Sequence, residues 1–256
     1  AVTALAIALA GSTGANPLAV GAAFLTGQLS VGWSNDWVDA ARDRVVRRSD
    51  KPTVRGLPAV AVRNAAITAA ALCLPLSLSL GWRAGLVHLL AVACGWVYNL
   101  RLKATAWSFL PYAVAFGLVP SVVTLASPGH PWAPWWATAA GALLGLGSHG
   151  ANVLPDMAED VAVGVVGLPH RLGRTVTTAL AGVLLVIATI VLAVGPGGSV
   201  TGWIAVGLSA LVFLAGLAAG RRPGSRAPFL AVIVVALLDV GLLLLQGGSL
   251  TSGAGQ

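Results

Sequence analysis

Eight acidic side chains occur in 256 residues, and seven of them fall into two groups. Asp36, Asp39, Asp43 and Asp50 form the first; Asp156, Glu159 and Asp160 form the second, and Asp239 stands alone. If one helix runs through Asn35–Asp43, Asp36, Asp39 and Asp43 take positions i, i+3 and i+7 on a single face. Asn35 is then one turn from Asp39, and Gln28 lies two turns above Asn35 on the same stripe. Asn152, Asp156 and Asp160 fall at i, i+4 and i+8, with His149 one turn earlier. Carboxylates one turn apart repel by about a few tenths of a kcal/mol per exposed pair, and by more when partly buried. Something cationic must offset them. Arg42, Arg44 and Arg47 are close enough in sequence to pair with the first group. Several convergent oxygen ligands also suit Mg²⁺, which favours carboxylates together with phosphate oxygens. A divalent ion held between carboxylates and a diphosphate neutralises the leaving group, which is the help that ionising a carbon–oxygen bond needs. Lys51, Arg55, Arg101 and Lys103 are placed to donate hydrogen bonds to phosphate oxygens.

The elements that must carry these residues are set by composition. Hydrophobic residues make up 57% of the chain and charged residues only 9%, with a mean hydropathy of +0.88. A soluble domain is roughly a quarter charged, so fifteen Lys+Arg and eight Asp+Glu cannot coat this one. A soluble enzyme and a nucleic-acid partner are excluded despite a pI near 10.7. Long apolar stretches bounded by Pro, Gly or charge cover 1–12 (partial), 17–35, 57–80, 84–100, 106–127, 133–154, 175–194, 200–219 and 227–246. Runs such as Ala69–Leu80 do not alternate as barrel strands would. The expectation is an all-α integral membrane bundle of nine transmembrane helices over residues 1–256, read as starting partway through its first helix. Cys73 and Cys94 lie within apolar runs without metal-ligand spacing.

Charge orients the bundle. Arg42, Arg44, Arg47, Arg48, Lys51, Arg55 and Arg63 border the connection between the second and third spans; Arg101, Lys103, Arg171, Arg174, Arg221, Arg222 and Arg226 border the other even-to-odd connections. The opposite connections hold only Arg83. Fourteen of fifteen basic residues thus share a side, expected to be cytoplasmic, and topology alone accounts for most of them. Both acidic groups reach that same boundary, where the charge rule supplies cations rather than acids, and lipid is not an acceptable surrounding for either polar stripe. Trp132, Trp135 and Trp136 are expected in the outer aromatic belt, and His88 at the outer interface.

These residues resemble the motifs of the UbiA superfamily of intramembrane prenyltransferases. Asn35–Asp43 reads NDxxDxxxD and Asp156–Asp160 is similar to the second DxxxD. Lys51-Pro-Thr-Val-Arg55-Gly56 resembles the basic stretch after the first motif, Tyr98-Asn-Leu-Arg-Leu-Lys103 the YxxxLK segment, and Gly167-Leu-Pro-His-Arg-Leu-Gly173 the loop after the second motif. The resemblance implies helices around a central cavity open laterally to lipid. There an isoprenyl diphosphate held with Mg²⁺ ionises, and a hydrophobic or aromatic acceptor captures the allylic cation. It assigns Asn35, Asp36, Asp39 and Asp43 to one metal–diphosphate unit, Asp156 and Asp160 to the other, and Lys51, Arg55 and Lys103 to the phosphates. Asp43 or Asp160 could instead orient groups or act as a base. Asn152 departs from the pattern of many relatives.

Outside the motifs, His149 is expected to face the cavity and position the acceptor or take its proton, or else to be a packing histidine. Asn64 and Asn99 are close enough to reach the same end. Asp239, mid-span, is open between function and interhelical bonding. Gly141 and Gly145 have the spacing of close helix approach, which among 32 glycines does not predict an oligomer. Two alternatives compete: a cyclase of the same fold, in which the substrate's own double bond captures the cation, and an ion-coupled transporter, which would place its acids near the midplane rather than at one rim. Asp39-Ala-Ala-Arg42 resembles a fragment of the CDP-alcohol phosphotransferase motif, but Ala40 replaces the required Gly and the next DxxxD is over a hundred residues away.

Overall fold

The computed structural model describes residues 2–46, 48–49, 51–220 and 225–251; Arg47, Asp50, Arg221 and Arg222 lie outside them. The described residues form helices and no strand: α1 (Val2–Thr13), α2 (Pro17–Val38), α3 (Ala40–Val45), α4 (Ala59–Leu78), α5 (Trp82–Val97), α6 (Leu110–Ala126), α7 (Trp135–Val153), α8 (Met157–Ala162), α9 (Leu168–Val194), α10 (Val200–Ala219) and α11 (Ala227–Leu245). Apart from the short α3 and α8, each coincides with one of the nine expected apolar stretches. Five are long and apolar enough to cross a membrane: α4, α5 with its continuation to Leu102, α9, α10 and α11. The polar stripes begin on α2 and α7, which have 22 and 19 residues, and run on into α3 and α8.

Large apolar side chains cover the outside of the bundle as well as filling its core, and several polar ones are buried. Leu18, Leu25, Leu72, Leu211 and Leu237 are exposed, whereas Asp39, Asp43, Asn99, His149 and Asp239 are buried. Lipid tails are as apolar as leucine, so close packing and interhelical hydrogen bonds hold such helices together. The glycines show how. A Cβ at Gly141 would lie 2.6 Å from the Phe116 carbonyl oxygen, and one at Gly145 would collide with the Tyr112 carbonyl. The Gly141/Gly145 spacing therefore seats α7 against α6 within the chain. Asn16 caps α2, its Oδ1 accepting from the N–H groups of Leu18 and Ala19 with Pro17 in the first turn.

Several expectations are corrected by tertiary context. Trp136 is buried against the core of the far end, while Trp132 and Trp135 are exposed. His88 is a core residue, bonded to Ser77 at 2.8 Å and packed on Phe24 with ring centroids 4.4 Å apart. The helix expected from residue 175 begins at Leu168 and kinks at Gly173, whose φ of 78° is left-handed and favours glycine. Asp239 on α11 accepts a 2.6 Å bond from Thr189 on α9, and that hydroxyl also meets Ser209 on α10. This ties the last three long helices together.

Candidate active site

The first acidic group hangs on a helix that nearly continues. α2 ends at Val38, Asp39 is a turn residue, and α3 resumes at Ala40. The Asp39 N–H still bonds the Asn35 carbonyl and the Asp43 N–H the Asp39 carbonyl, each at 2.9 Å, so the expected shared face survives the break. The second group is displaced further. α7 ends at Val153, the Leu154-Pro155-Asp156 turn intervenes, and α8 starts at Met157. Pro155 lacks the N–H that would continue the helix, so Asn152 and Asp160 belong to different segments, rather than to one continuous stripe.

A cavity of about 490 Å³ opens between these ends. Asn35, Asp36 and Asp39 line it from the first motif, Asn152, Asp156 and Asp160 from the second, and Lys51, Tyr98 and Lys103 from the connections. Tyr98 and Lys103 reach it by a local irregularity: Tyr98–Leu102 is one turn of π-helix, closed by a 3.0 Å bond from the Lys103 N–H to the Tyr98 carbonyl. Such turns recur at functional sites because the wider register re-aims side chains. Beyond the carboxylates the wall turns apolar and aromatic, with Tyr112, Ala115 and Phe116. Asn152 donates to the Tyr112 hydroxyl at 3.3 Å, and Asn99 pins α5 to α2 through the Val31 carbonyl and the Ser34 hydroxyl at 2.9 and 2.8 Å.

Every acid of the two motifs meets a cation. Lys51 donates to Asp36 at 2.9 Å; Lys103 bonds Asp39 and reaches the Asn35 side-chain oxygen at 3.4 Å; Arg42 bonds Asp39 at 3.0 Å. Arg48 enters from the connection between α3 and α4 and meets Asp160 at 2.9 Å, Asp156 and Glu159 at 3.4 Å, and Asp43 at 3.7 Å. His170 adds a contact with Asp160 at 3.4 Å. Burial works against a charged guanidinium, but Asp156, Asp160 and Asp43 outweigh it and hold Arg48 more firmly protonated than usual. Asp43 is 2% exposed. Burial raises its carboxyl above the ordinary range; Lys51 opposes the rise, Asp39 adds to it, and Arg48 and Lys103 oppose it. Its Oδ2 is buried without a hydrogen-bond partner.

Four residues expected at the substrate stand elsewhere. Asp43 lies beneath Arg48 and does not line the cavity. Arg55 is exposed and bonds back to the Ser49 carbonyl at 2.8 Å. Arg101 is exposed on the outer side of the π turn, whose inner side Tyr98 and Lys103 occupy. His149 is buried behind Tyr98 and Tyr112, with ring centroids 5.8 and 4.8 Å away, and its Nε2 is 3.0 Å from the Ser108 hydroxyl. It lines a smaller apolar pocket of about 250 Å³ between α7 and α9. Asn64 is exposed beside Arg63. Sequence reasoning missed Arg48 as a site residue and Tyr112 altogether. Arg48 looked like one more topological cation; an aromatic in the first turn of α6 carries no motif signal.

Charged carboxylates at a rim, a cationic fringe and an aromatic wall are what an anionic head joined to an apolar tail would need. Several solved structures share the fold. An apo structure of a UbiA homolog from Aeropyrum pernix K1 matches with a TM-score of 0.71, 18% identity, and 96% of this chain against 97% of that one. A UbiA homolog from Archaeoglobus fulgidus bound to GPP and Mg²⁺ matches at 0.66 and 18%, covering 98% and 96%. A structure of digeranylgeranylglyceryl phosphate synthase matches at 0.67 and 16%, covering 97% and 92%. No curated protein matches the sequence. The model of the UbiA prenyltransferase family matches residues 1–247, and with nearly the whole sequence inside that match the chain belongs to this family of membrane proteins.

Proposed function

We propose that this chain transfers an isoprenyl group from an isoprenyl diphosphate to a hydrophobic or aromatic acceptor, releasing diphosphate, with the mouth of the site on the cytoplasmic side of the membrane. The observation that carries the reading is that both acidic motifs, Lys51 and Lys103 line one cavity whose inner wall is aromatic. The A. fulgidus homologs bound to Mg²⁺ with GPP or with DMAPP support the donor and the ion.

The residues fit Mg²⁺ chemically. Asp36, Asp39, Asp156 and Asp160 offer hard oxygen donors around one space. Among the described residues no three His, Cys, Asp or Glu side chains already converge as a ligand set, and the acids are paired with lysine and arginine instead. When bound, the ion offsets the charge that builds on the departing diphosphate. The protein's own groups do the rest. Lys51 and Lys103 bind phosphate oxygens and fix the head at the rim. The apolar wall receives the tail and keeps water from the allylic centre. Tyr98 and Tyr112 border the depth where positive charge appears on carbon, and aromatic faces stabilise such charge. The carbon–oxygen bond breaks with its electron pair leaving on diphosphate, the acceptor's electrons form the new carbon–carbon or carbon–heteroatom bond, and the acceptor loses a proton.

Membranes containing the protein, incubated with C10 to C50 diphosphates and a panel of acceptors, test this by mass spectrometry. A prenylated acceptor is expected. A cyclic hydrocarbon formed from the diphosphate alone would instead establish the cyclase.

A further inference from the structure

Arg48 touches both acidic groups at once. Its guanidinium meets Asp43 of the first motif and Asp156, Glu159 and Asp160 around the second, residues more than a hundred positions apart. The guanidinium therefore bridges the two motifs. Its hold is broad rather than tight. Only the Asp160 contact, at 2.9 Å, has the length of a strong charge-assisted bond, and the other three span 3.4 to 3.7 Å. The residue is carried on a connection and not inside a helix, tethered by its own N–H to the Asp43 carbonyl and by its carbonyl to the Lys51 N–H, each at 3.0 Å. Its side chain is 19% exposed, so it has a way out.

We propose that Arg48 is a displaceable counter-ion that competes with a divalent cation for the two acidic motifs and yields them when a diphosphate arrives. This rests on the metal–diphosphate reading of the site. The guanidinium fills the space between these carboxylates, and a second cation brought in alone meets repulsion from it. A diphosphate changes the balance, because its oxygens accept the bidentate bonds that a guanidinium is shaped to give. Arg48 then has a new anionic partner, and the carboxylates are released to the ion. Cation and diphosphate must therefore bind cooperatively, and the cation alone must bind weakly. Coupling between two ligands of this kind is commonly 5- to 150-fold.

Equilibrium dialysis of the detergent-solubilised full chain with Mn²⁺, at matched free Mn²⁺ with and without inorganic pyrophosphate, reads this directly. Wild-type protein is expected to retain Mn²⁺ weakly alone and about tenfold or more tightly with pyrophosphate. Arg48→Gln should bind Mn²⁺ alone about tenfold more tightly than wild type and gain less from pyrophosphate, whereas Arg48→Lys, which keeps the charge but not the fork, should bind Mn²⁺ alone as weakly as wild type and gain less from pyrophosphate. Arg48→Gln binding Mn²⁺ alone no more tightly than wild type would overturn the proposal while leaving the metal–diphosphate reading intact. Should Arg48→Gln not fold, the wild-type comparison decides: Mn²⁺ binding that pyrophosphate does not tighten overturns the proposal. Wild-type protein that retains no Mn²⁺ even with pyrophosphate would instead refute the reading beneath it.

Discussion

The backbone N–H of Lys103 donates to the carbonyl oxygen of Tyr98, 3.0 Å away and five residues back. This single π turn at the end of α5 brings an ammonium and a phenol to the same cavity, the ammonium bonded to Asp39 and within 3.4 Å of the Asn35 oxygen. Lys103→Gln keeps the length and loses the charge. A hydrogen bond to a charged group contributes roughly 1.5–3 kcal/mol, so kcat/KM for the prenyl diphosphate should fall about 10- to 100-fold. Steady-state kinetics with varied diphosphate checks this. Arg101→Gln, on the outer side of the same turn, should leave the constant nearly unchanged.

Asp36 and Asp156 face the same space from opposite motifs. Asp36→Asn and Asp156→Asn should each lower turnover by about 100-fold or more, as loss of one well-placed electrostatic group does. Thermal melts should remain close to wild type, because both side chains are only partly buried. EDTA should stop the wild-type reaction, and Mg²⁺ should restore it.

Asp43 has the opposite profile. Its raised carboxyl pKa means that the folded state prefers the proton. Such a group costs no stability below its ordinary value of 3.8, where both states are protonated. The cost builds as pH rises from that ordinary value to the folded-state value and is constant above it. Asp43→Asn should therefore be at least as stable as wild type at pH 7.5, with the advantage shrinking on acidification. Melting curves across pH 4 to 8 measure it.

Asp239 ties α11 to α9 through Thr189 and does not line the cavity. Interhelical polar bonds in membranes average about 0.6 kcal/mol, and a truncation also leaves a void. Asp239→Ala should lower the melting temperature, whereas Asp239→Asn, which keeps an acceptor for Thr189, should retain both stability and turnover. A loss in Asp239→Asn equal to that of Asp36→Asn would show that the site extends into the α9–α11 bundle.

Which parts of this protein its sequence discloses follows from how local each signal is. Apolar runs mark the long helices because a bilayer demands uninterrupted hydrophobicity. Asp36, Asp39 and Asp43 share a face because the backbone bonds at Asn35 and Asp39 keep helical spacing across the break. The second stripe read less well, since Pro155 turns the chain between Asn152 and Asp160. Helical periodicity assumes 3.6 residues per turn, so it could not show the π turn that aims Tyr98 and Lys103 inward. It also turned His149 towards the cavity, when Tyr98 and Tyr112 stand in front of it. Arg48 was hidden for a different reason. A long, flexible cation on a connection finds its partners only after α2 and α7 are packed, and nothing in local spacing distinguishes it from Arg55, which ends at the surface.

Turnover with paired products tests the central claim most directly. Purified protein in lipid vesicles, supplied with Mg²⁺, prenyl diphosphates and candidate acceptors, should release pyrophosphate and form prenylated acceptor in equal amounts, and Asp36→Asn and Asp156→Asn should each abolish both. Undiminished product formation in those two variants would contradict joint action of the two acidic motifs on the diphosphate.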